Sequence, residues 1–435
     1  MPRGSRPGST SVLTSITAAA VTVAALAASA PPALAQQTQS DRQSQPGRQG
    51  QQVRNVIFLV GDGMASAHRD AGRLRLAGLD RNLEMDQLPV SGSLSHDARD
   101  PNAFVTDSAA GATAWATGQK TFNGAISVDV NRNPLPVLGE QAKAAGKATG
   151  LVTTAQVTDA SPAAFYARTP DRGLQSDIAL QYLNESKPDV ILGGGEDWWL
   201  PAGTPGAFPD APAEDPQEAS RGTQGNLIDQ ARGLGYNHVT TPQQLQQARG
   251  PKLLGLFANE EMFQQRAEGQ GDVYRPVVDL PTMTRKALDT LSTSRQGFFL
   301  VVEEEAIDEF AHNNNSPQVL EGMKQLDATV AVVRQFLRRN PDTLVVVTGD
   351  HETGGLAIEG VDANDETGTG ASVEDGPFPI QGSDKQFVMD WTTTGHTDNP
   401  VPVTADGRGA DAFTGQHPNT YVYDVLSRAL GVRRR

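Results

Sequence analysis

Val56-Ile57-Phe58-Leu59-Val60-Gly61-Asp62-Gly63-Met64 is five apolar residues in a row that stop on Gly-Asp-Gly. A continuous apolar, partly β-branched run of this length reads as a strand buried on both faces, the kind found at the centre of a parallel sheet. The pattern recurs. Leu344–Val347 ends on Thr348-Gly349-Asp350-His351, and Phe298–Val302 ends on Glu303-Glu304-Glu305. Thr149–Val152, Val190–Leu192 and Leu253–Phe257 are further runs, and helical stretches fall between them at 108–117, 137–145, 174–185, 282–294 and 317–339. Strands alternating with helices indicate an α/β layered fold around a largely parallel sheet. In such a sheet, polar residues just past a strand lie at its carboxyl end, where open α/β folds place their sites.

The remainder of the chain bounds the problem. Its 435 residues are enough for one large domain or two. There is no Cys, which excludes disulfides, thiol nucleophiles and thiolate metal ligands. Arg3 and Arg6 precede an apolar stretch, Val12 to Ala30, and Ala33-Leu34-Ala35 offers a small-x-small cleavage point. Residues 1–35 therefore read as a secretory signal peptide, not a stable membrane span. That places the mature protein outside the cytoplasm, secreted, extracellular or periplasmic. Residues 36–52 are Gln-rich and nearly devoid of apolar side chains, so they read as a disordered leader, with the folded domain at 53–435. Losing the two leader arginines takes the formal charge from −15 to −17. A chain this acidic has no nucleic-acid-binding surface, and an anionic substrate needs a locally positive site, which bound metal ions can supply. Residues 201–225 and 362–384 read as long loops.

Each chemical motif has a bland reading and a sharp one. Gly61-Asp62-Gly63 is either a turn with a solvated carboxylate or a ligand at a strand end where glycine lets backbone approach. Asp350-His351 repeats that placement. Asp308 and His312 stand at i, i+4 and share one helix face. Three successive acids at 303–305 would repel one another unless cations are nearby, and Glu304, Glu305 and Glu309 fit a solvated acidic helix start. Thr106-Asp107-Ser108 fits a helix cap, or a serine whose alkoxide is stabilised at a helix N-terminus that also suits phosphate. Asp159 and Ser161 are oxygen donors two residues apart, and Arg172 follows in Pro170-Asp171-Arg172; beside a phosphate such an arginine is a bidentate clamp. His396 lies in Thr394-Gly395-His396-Thr397. Imidazole and carboxylate suit zinc, and all-oxygen sets suit magnesium.

Taken together, the six motifs resemble the alkaline phosphatase family: Gly-Asp-Gly-Met, Asp-Ser-Ala-Ala-Gly-Ala-Thr-Ala, Asp-Ala-Ser-Pro-Ala-Ala, Glu-x4-Asp-x3-His, Asp-His-Glu-Thr-Gly-Gly and Gly-His-Thr, in this order across about residues 53–430. The resemblance implies a three-layer α/β/α sandwich around a large, mostly parallel sheet, a phosphomonoesterase activity and a homodimer. It implies Ser108 as the nucleophile, forming a phosphoserine, and Arg172 as the phosphate clamp. One zinc falls to Asp62, Asp350 and His351, the other to Asp308, His312 and His396. One magnesium falls to Asp62, Ser161 and Glu303, with Asp159 close by, through water. Glu303 is taken from the triplet by its five-residue spacing to Asp308. The chain departs from the enterobacterial pattern in Ser161 for Thr and Glu309 for Lys, and Glu304 stands where relatives often have Gly. Competing readings are a phosphodiesterase or dedicated metabolite phosphatase of the same superfamily, and a secreted metal- or phosphate-binding protein without turnover. An intact serine and arginine argue against the last.

Overall fold

The amino-terminal run is the strand Asn55–Gly61, buried along its whole length. Alternate residues serve opposite cores. Val56, Phe58 and Val60 join one apolar cluster with Trp115 and Phe165, whereas Ile57 and Leu59 join a second with Met323 and Val330. That two-sided burial is why the run carries no polar alternation. The structure is a computed structural model and describes residues 53–208, 219–361 and 373–432. The signal-peptide and leader readings lie outside the described residues, as do 209–218 and 362–372.

The strands, in chain order, are β1 (Asn55–Gly61), β2 (Val90–Ser95), β3 (Ala148–Gln156), β4 (Val190–Gly194), β5 (Asn237–Val239), β6 (Leu253–Leu256), β7 (Phe298–Glu304), β8 (Thr343–Thr348), β9 (Glu352–Thr353), β10 (Leu356–Gly360), β11 (Val373–Pro379), β12 (Gln386–Trp391), β13 (His396–Thr397), β14 (Val401–Gly407) and β15 (Gly415–Pro418). Ten form one sheet in the order β15-β2-β14-β8-β1-β7-β3-β4-β6-β5. The block from β8 to β5 is parallel throughout, and β14 runs against both its neighbours. Helices cover both faces. Ser108–Thr117 and Tyr421–Leu430 pack on one side, and Leu280–Leu291 and Ser316–Arg339 on the other. This is the α/β sandwich with a mostly parallel sheet that the sequence implies. Gln51–Arg435 is one compact unit. Among the described residues, no helix is long and apolar enough to cross a membrane.

The register fixes where the chemistry goes. Val60 pairs with Glu303 on β7 and with Thr348 on β8, and Thr153 on β3 pairs with the same Glu303. Asp62, Glu303 and Asp350 thus leave three adjacent strands at one edge of the sheet. Two small antiparallel sheets sit beyond that edge. In one, β9 and β13 pair His396 with Thr353, which carries the distant His396 back beside Asp350-His351. The other has the order β10-β12-β11. Here the loop expected over 362–384 is corrected: Val373–Pro379 is strand β11, paired with β12. Its acidic, glycine-containing sequence hides the extended backbone because β11 is an edge strand of a small sheet, without the apolar run that marks a central one.

Candidate metal and nucleophile site

Asp62 follows β1 directly, its N–H bonding Glu304 O at 3.0 Å. Gly63 has φ +66°, and a Cβ there would stand 2.6 Å from Asp308 Oδ1 and 2.9 Å from Asp308 Cα. Both backbone conformation and space therefore require glycine. Its N–H donates to Asp350 Oδ1 at 3.0 Å, tying the ends of β1 and β8 together.

Ser108 opens its helix, with Asp107 as the cap: Asp107 Oδ1 accepts from Ala110 N at 2.9 Å, and Oδ2 from Gly124 N at 2.8 Å. Ser108 is 4% exposed, so the hydroxyl sits inside the protein and not on a solvated cap. Its Oγ lies 3.3 Å from His351 Nε2. The same nitrogen is 3.1 Å from Asp350 Oδ2 and 3.6 Å from Asp62 Oδ1. Asp62 Oδ1 and Asp350 Oδ2 are buried without a hydrogen-bond partner. Orphaned carboxylate oxygens around one imidazole nitrogen are the donor set a cation satisfies.

The second group is Asp308, His312 and His396, whose ligand atoms lie within 4.8 Å of one another, as do those of Asp62, Asp308 and His351. His312 caps the short helix Ala306–Ala311, and its Nε2 is 3.2 Å from Asp308 Oδ2. His312 Nδ1 lies 2.6 Å from Thr394 O, and His396 Nδ1 lies 3.0 Å from Thr106 O. Those carbonyls can only accept, so each Nδ1 carries hydrogen and each Nε2 points a lone pair inward. The two Nε2 atoms face each other at 3.1 Å. Two lone pairs at that distance need a cation between them, either a proton or a metal ion. With protein charges alone the proton goes to His312. Burial works against that, but the hydrogen bond and charge of Asp308 outweigh it and raise His312 to about 9. Asp308 itself is held below its usual range. Burial would raise it, yet His312, His351 and His396 together prevail. The rings of His351 and His396 stack with centroids 3.6 Å apart, so the two groups share a wall.

The oxygen-rich side lies deeper. Ser161 Oγ donates to Asp62 Oδ2 at 3.3 Å, and Thr153 Oγ1 donates to Glu303 Oε2 at 2.6 Å. Burial, then the charge of Asp159, pushes Glu303 up to about 8, although hydrogen bonds from Thr153 and Ser161 work the other way. Arg172 reaches Asp159 with Nη2 at 3.0 Å to both oxygens, and its Nη1 is 3.5 Å from Asp107 Oδ2. Its guanidinium thus stands between the Asp107 cap of the Ser108 helix and the Asp159 carboxylate. Asp62, Glu303, Asp308, Asp350 and His351 are all under 5% exposed. Two wide clefts, of about 950 and 840 Å³, are lined by other residues, so donor chemistry marks this site, not cavity size.

The solvated reading of Glu304 and Glu305 is corrected. Glu303, Glu304 and Glu305 are 1%, 0% and 4% exposed. Strand alternation sends Glu304 to the face opposite Glu303, where Tyr274 Oη and Thr154 Oγ1 donate to it at 2.6 and 2.9 Å. Thr353 was missed. Its hydroxyl donates to Asp308 Oδ1 and lies 3.2 Å from His351 Nδ1. The signal was available in Asp350-His351-Glu352-Thr353: a hydroxyl two residues after a strand-end histidine, next to glycines.

A family sequence model described as alkaline phosphatase matches residues 53–381. Streptomycin-6-phosphate phosphatase of Streptomyces griseus is 36% identical over 432 residues, covering 88% of this chain and 91% of that protein. The alkaline phosphatase of Escherichia coli is 32% identical, over 88% of this chain and 87% of its own. In three dimensions, the cold-active alkaline phosphatase of a psychrophilic Shewanella superposes with TM-score 0.71 at 31% identity, covering 86% of this chain and 99% of that one. A mutant of the alkaline phosphatase from the Antarctic bacterium TAB5, solved with Mg bound, gives 0.69 at 26% identity, over 88% of this chain and 99% of that one.

Proposed function

The chain belongs to the alkaline phosphatase family, a family of metal-dependent phosphatases acting on phosphate esters, and on that premise we propose that it is an exported phosphomonoesterase working through a phosphoserine at two zinc ions and one magnesium. In this reading residues 1–35 direct export, 36–52 are a leader and 53–435 are the catalytic domain, active as a homodimer. Asp62, Asp350 and His351 hold one zinc; Asp308, His312 and His396 hold the other; Asp62, Ser161 and Glu303 hold magnesium, with Asp159 reaching it through water. The donor sets fit these ions, since the histidine-bearing groups suit zinc and the all-oxygen group suits magnesium. Bound there, the ions supply Lewis-acid charge for in-line displacement and make hydroxyl and water nucleophilic near neutral pH.

The protein's own share is positional. Ser108 Oγ attacks phosphorus and the ester oxygen leaves with its electron pair. Water then cleaves the phosphoserine, releasing inorganic phosphate and restoring the hydroxyl. Helix Ser108–Thr117 presents its first N–H groups to the phosphoryl oxygens. Arg172 turns its fork to two of those oxygens. The carbonyls of Thr106 and Thr394 hold His396 and His312 with Nε2 inward, so both rings are ready to ligate without reorientation.

One observation carries this reading: the nucleophile's oxygen is 3.3 Å from a histidine nitrogen that also faces two orphaned carboxylate oxygens. The test is hydrolysis of p-nitrophenyl phosphate and of bis(p-nitrophenyl) phosphate at alkaline pH by the protein beginning at Gln36, before and after chelation. Monoester turnover that vanishes with chelator and returns only with zinc plus magnesium supports the reading. Faster diester turnover, or none with either substrate, overturns it. A second reading, a phosphatase dedicated to one phosphorylated metabolite, is favoured by the 36% identity to the streptomycin-6-phosphate enzyme. It requires kcat/KM for a phosphorylated aminoglycoside to exceed that for simple aryl phosphates by well over tenfold.

A further inference from the structure

Ser108 and Arg172 come from separate segments, and the turn Phe122-Asn123-Gly124 bonds to both. On the nucleophile's side, Asn123 Oδ1 accepts from Asp107 N at 3.1 Å and Nδ2 donates to Val105 O at 2.9 Å. The amide thus grips the backbone on either side of Thr106, directly before Ser108. Gly124 N donates to Asp107 Oδ2 at 2.8 Å. On the other side, Gly124 O accepts from Arg172 N at 2.9 Å. The strip that follows is held between the same two segments. Ile126 exchanges both backbone hydrogen bonds with Thr169, at 2.8 and 2.9 Å. Thr113 Oγ1, on the Ser108 helix, donates to Ala125 O at 3.1 Å and accepts from Ser127 N at 2.8 Å.

The partners of the amide fix its orientation. Its oxygen meets an N–H and its nitrogen meets a carbonyl, so neither a carboxylate nor an apolar side chain of the same size satisfies both. Asn123 N donates to Asp100 Oδ2 at 3.2 Å, which anchors the turn to the loop that leads into Val105. Gly124 has φ +79°, and an added Cβ would meet nothing within 4 Å, so glycine serves the conformation of the turn and not its space. Neither residue belongs to the six motifs that carry the family resemblance.

We propose that Asn123 is a positioning residue that sets the spacing between Ser108 and Arg172. It acts through the backbone on either side of Thr106 and, by way of Gly124, through the backbone of Arg172. The hydroxyl that attacks phosphorus and the guanidinium that grips its oxygens then share one rigid frame. Such alignment is what catalysis by positioning requires, and a misplacement of about 1 Å commonly costs about 10²-fold.

The roles of Ser108 and Arg172 rest on the function proposed above, and the experiment separates the two. In the protein beginning at Gln36, supplied with zinc and magnesium, kcat/KM for p-nitrophenyl phosphate is measured for Asn123→Ala alone and beside Arg172→Ala. Peptide hydrogen exchange is followed in the same samples. Alone, Asn123→Ala lowers kcat/KM by about 10²-fold. Beside Arg172→Ala its effect shrinks by more than about threefold, because the spacing matters less once the guanidinium is gone. Effects equal within about threefold in the two backgrounds overturn the proposal, since a merely structural residue adds its cost independently. Exchange rises together in segments 105–111 and 169–174 while β1 keeps its protection; a rise confined to 105–111 overturns it too. Asn123→Asp keeps the size and the bond from Asp107 N but loses the donor to Val105 O, and it decides the case if the alanine variant unfolds. It shows the same paired rise and the same coupling to Arg172, and wild-type activity and exchange in it overturn the proposal. A wild type that turns over no monoester removes the functional reading, and the paired rise in exchange still decides the spacing.

Discussion

The nitrogen-bearing half of the site and its oxygen-bearing half solve the same electrostatic problem differently. Around Asp308, three imidazoles stand within reach of one carboxylate, and the group can balance its own charge by protonating a ring. His312 is the outermost of them, its side chain 30% exposed. Around Glu303 the polar partners are the hydroxyls of Thr153 and Ser161 and the carboxylate of Asp159, and the charge of this buried acid must be answered by ions or by a proton. The difference teaches that the two halves should part company when they are stripped of metal. The first tolerates loss by taking up a proton, whereas the second must neutralise acids or open to water.

Ser108 stands where the halves meet, and Ser108→Ala should have the largest effect on turnover. We expect kcat to fall roughly 10³-fold or more, with no phosphoserine trapped on acid quenching and with both metals retained. Metal lost along with activity would show the halves to be one unit.

Gly63→Ala tests both halves through backbone. The added Cβ meets Asp308 Oδ1 at 2.6 Å beside the turn that holds Asp62. Displacement of about 1 Å commonly costs about 10²-fold, so kcat should drop by that order and zinc affinity should fall with it. Unchanged zinc binding would mean that the turn relaxes without moving the ligands.

Thr353→Val removes the hydroxyl that bonds Asp308 Oδ1 and keeps the shape. Loss of an outer hydrogen bond of this kind typically costs about 10–100-fold in metal affinity. Zinc titration should show the loss confined to the nitrogen half, with magnesium binding untouched.

The smallest effect should come from Glu304→Gln, next in sequence to the proposed magnesium ligand Glu303 but on the opposite face of β7. Glu303→Gln should weaken magnesium binding and activity. Glu304→Gln should leave both within about threefold and lower Tm by about 2 °C, the size of one weakened buried hydrogen-bond pair in a domain this large. Magnesium lost from the Glu304 variant would move the ligand assignment to the other face.

Much of this was legible in the sequence because the relevant signals are local. The central strands announce themselves by unbroken apolar runs, and Asp62, Asp350 and the 303–305 triplet by standing where those runs stop. The spacing of Asp308 and His312 fixes their shared face. What the sequence hid was non-local. Strands β2 and β14 lack the apolar density of β1, and β14 carries Pro402, so neither stood out, although both belong to the main sheet. The buried position of Glu304 depends on Tyr274 and Thr154, contributed by segments remote in sequence. No spacing rule reports such partners, and a run of three acids reads as solvated until they are known.

The pairing of β13 with β9 has a mechanical consequence. It sets His396 beside the residues that follow β8, and in the metal assignment proposed above one ion held by Asp62 and His351 would tie the end of the first strand to the residues after β8. A chain without cysteine would thereby acquire, on the proposed assignment, a removable cross-link around much of its length. By the loop-closure argument applied to disulfides, a tie spanning so many residues restrains the unfolded chain by about 5 kcal/mol. On the proposed function, the folded chain's resistance to proteases would then rise and fall with the supply of metal.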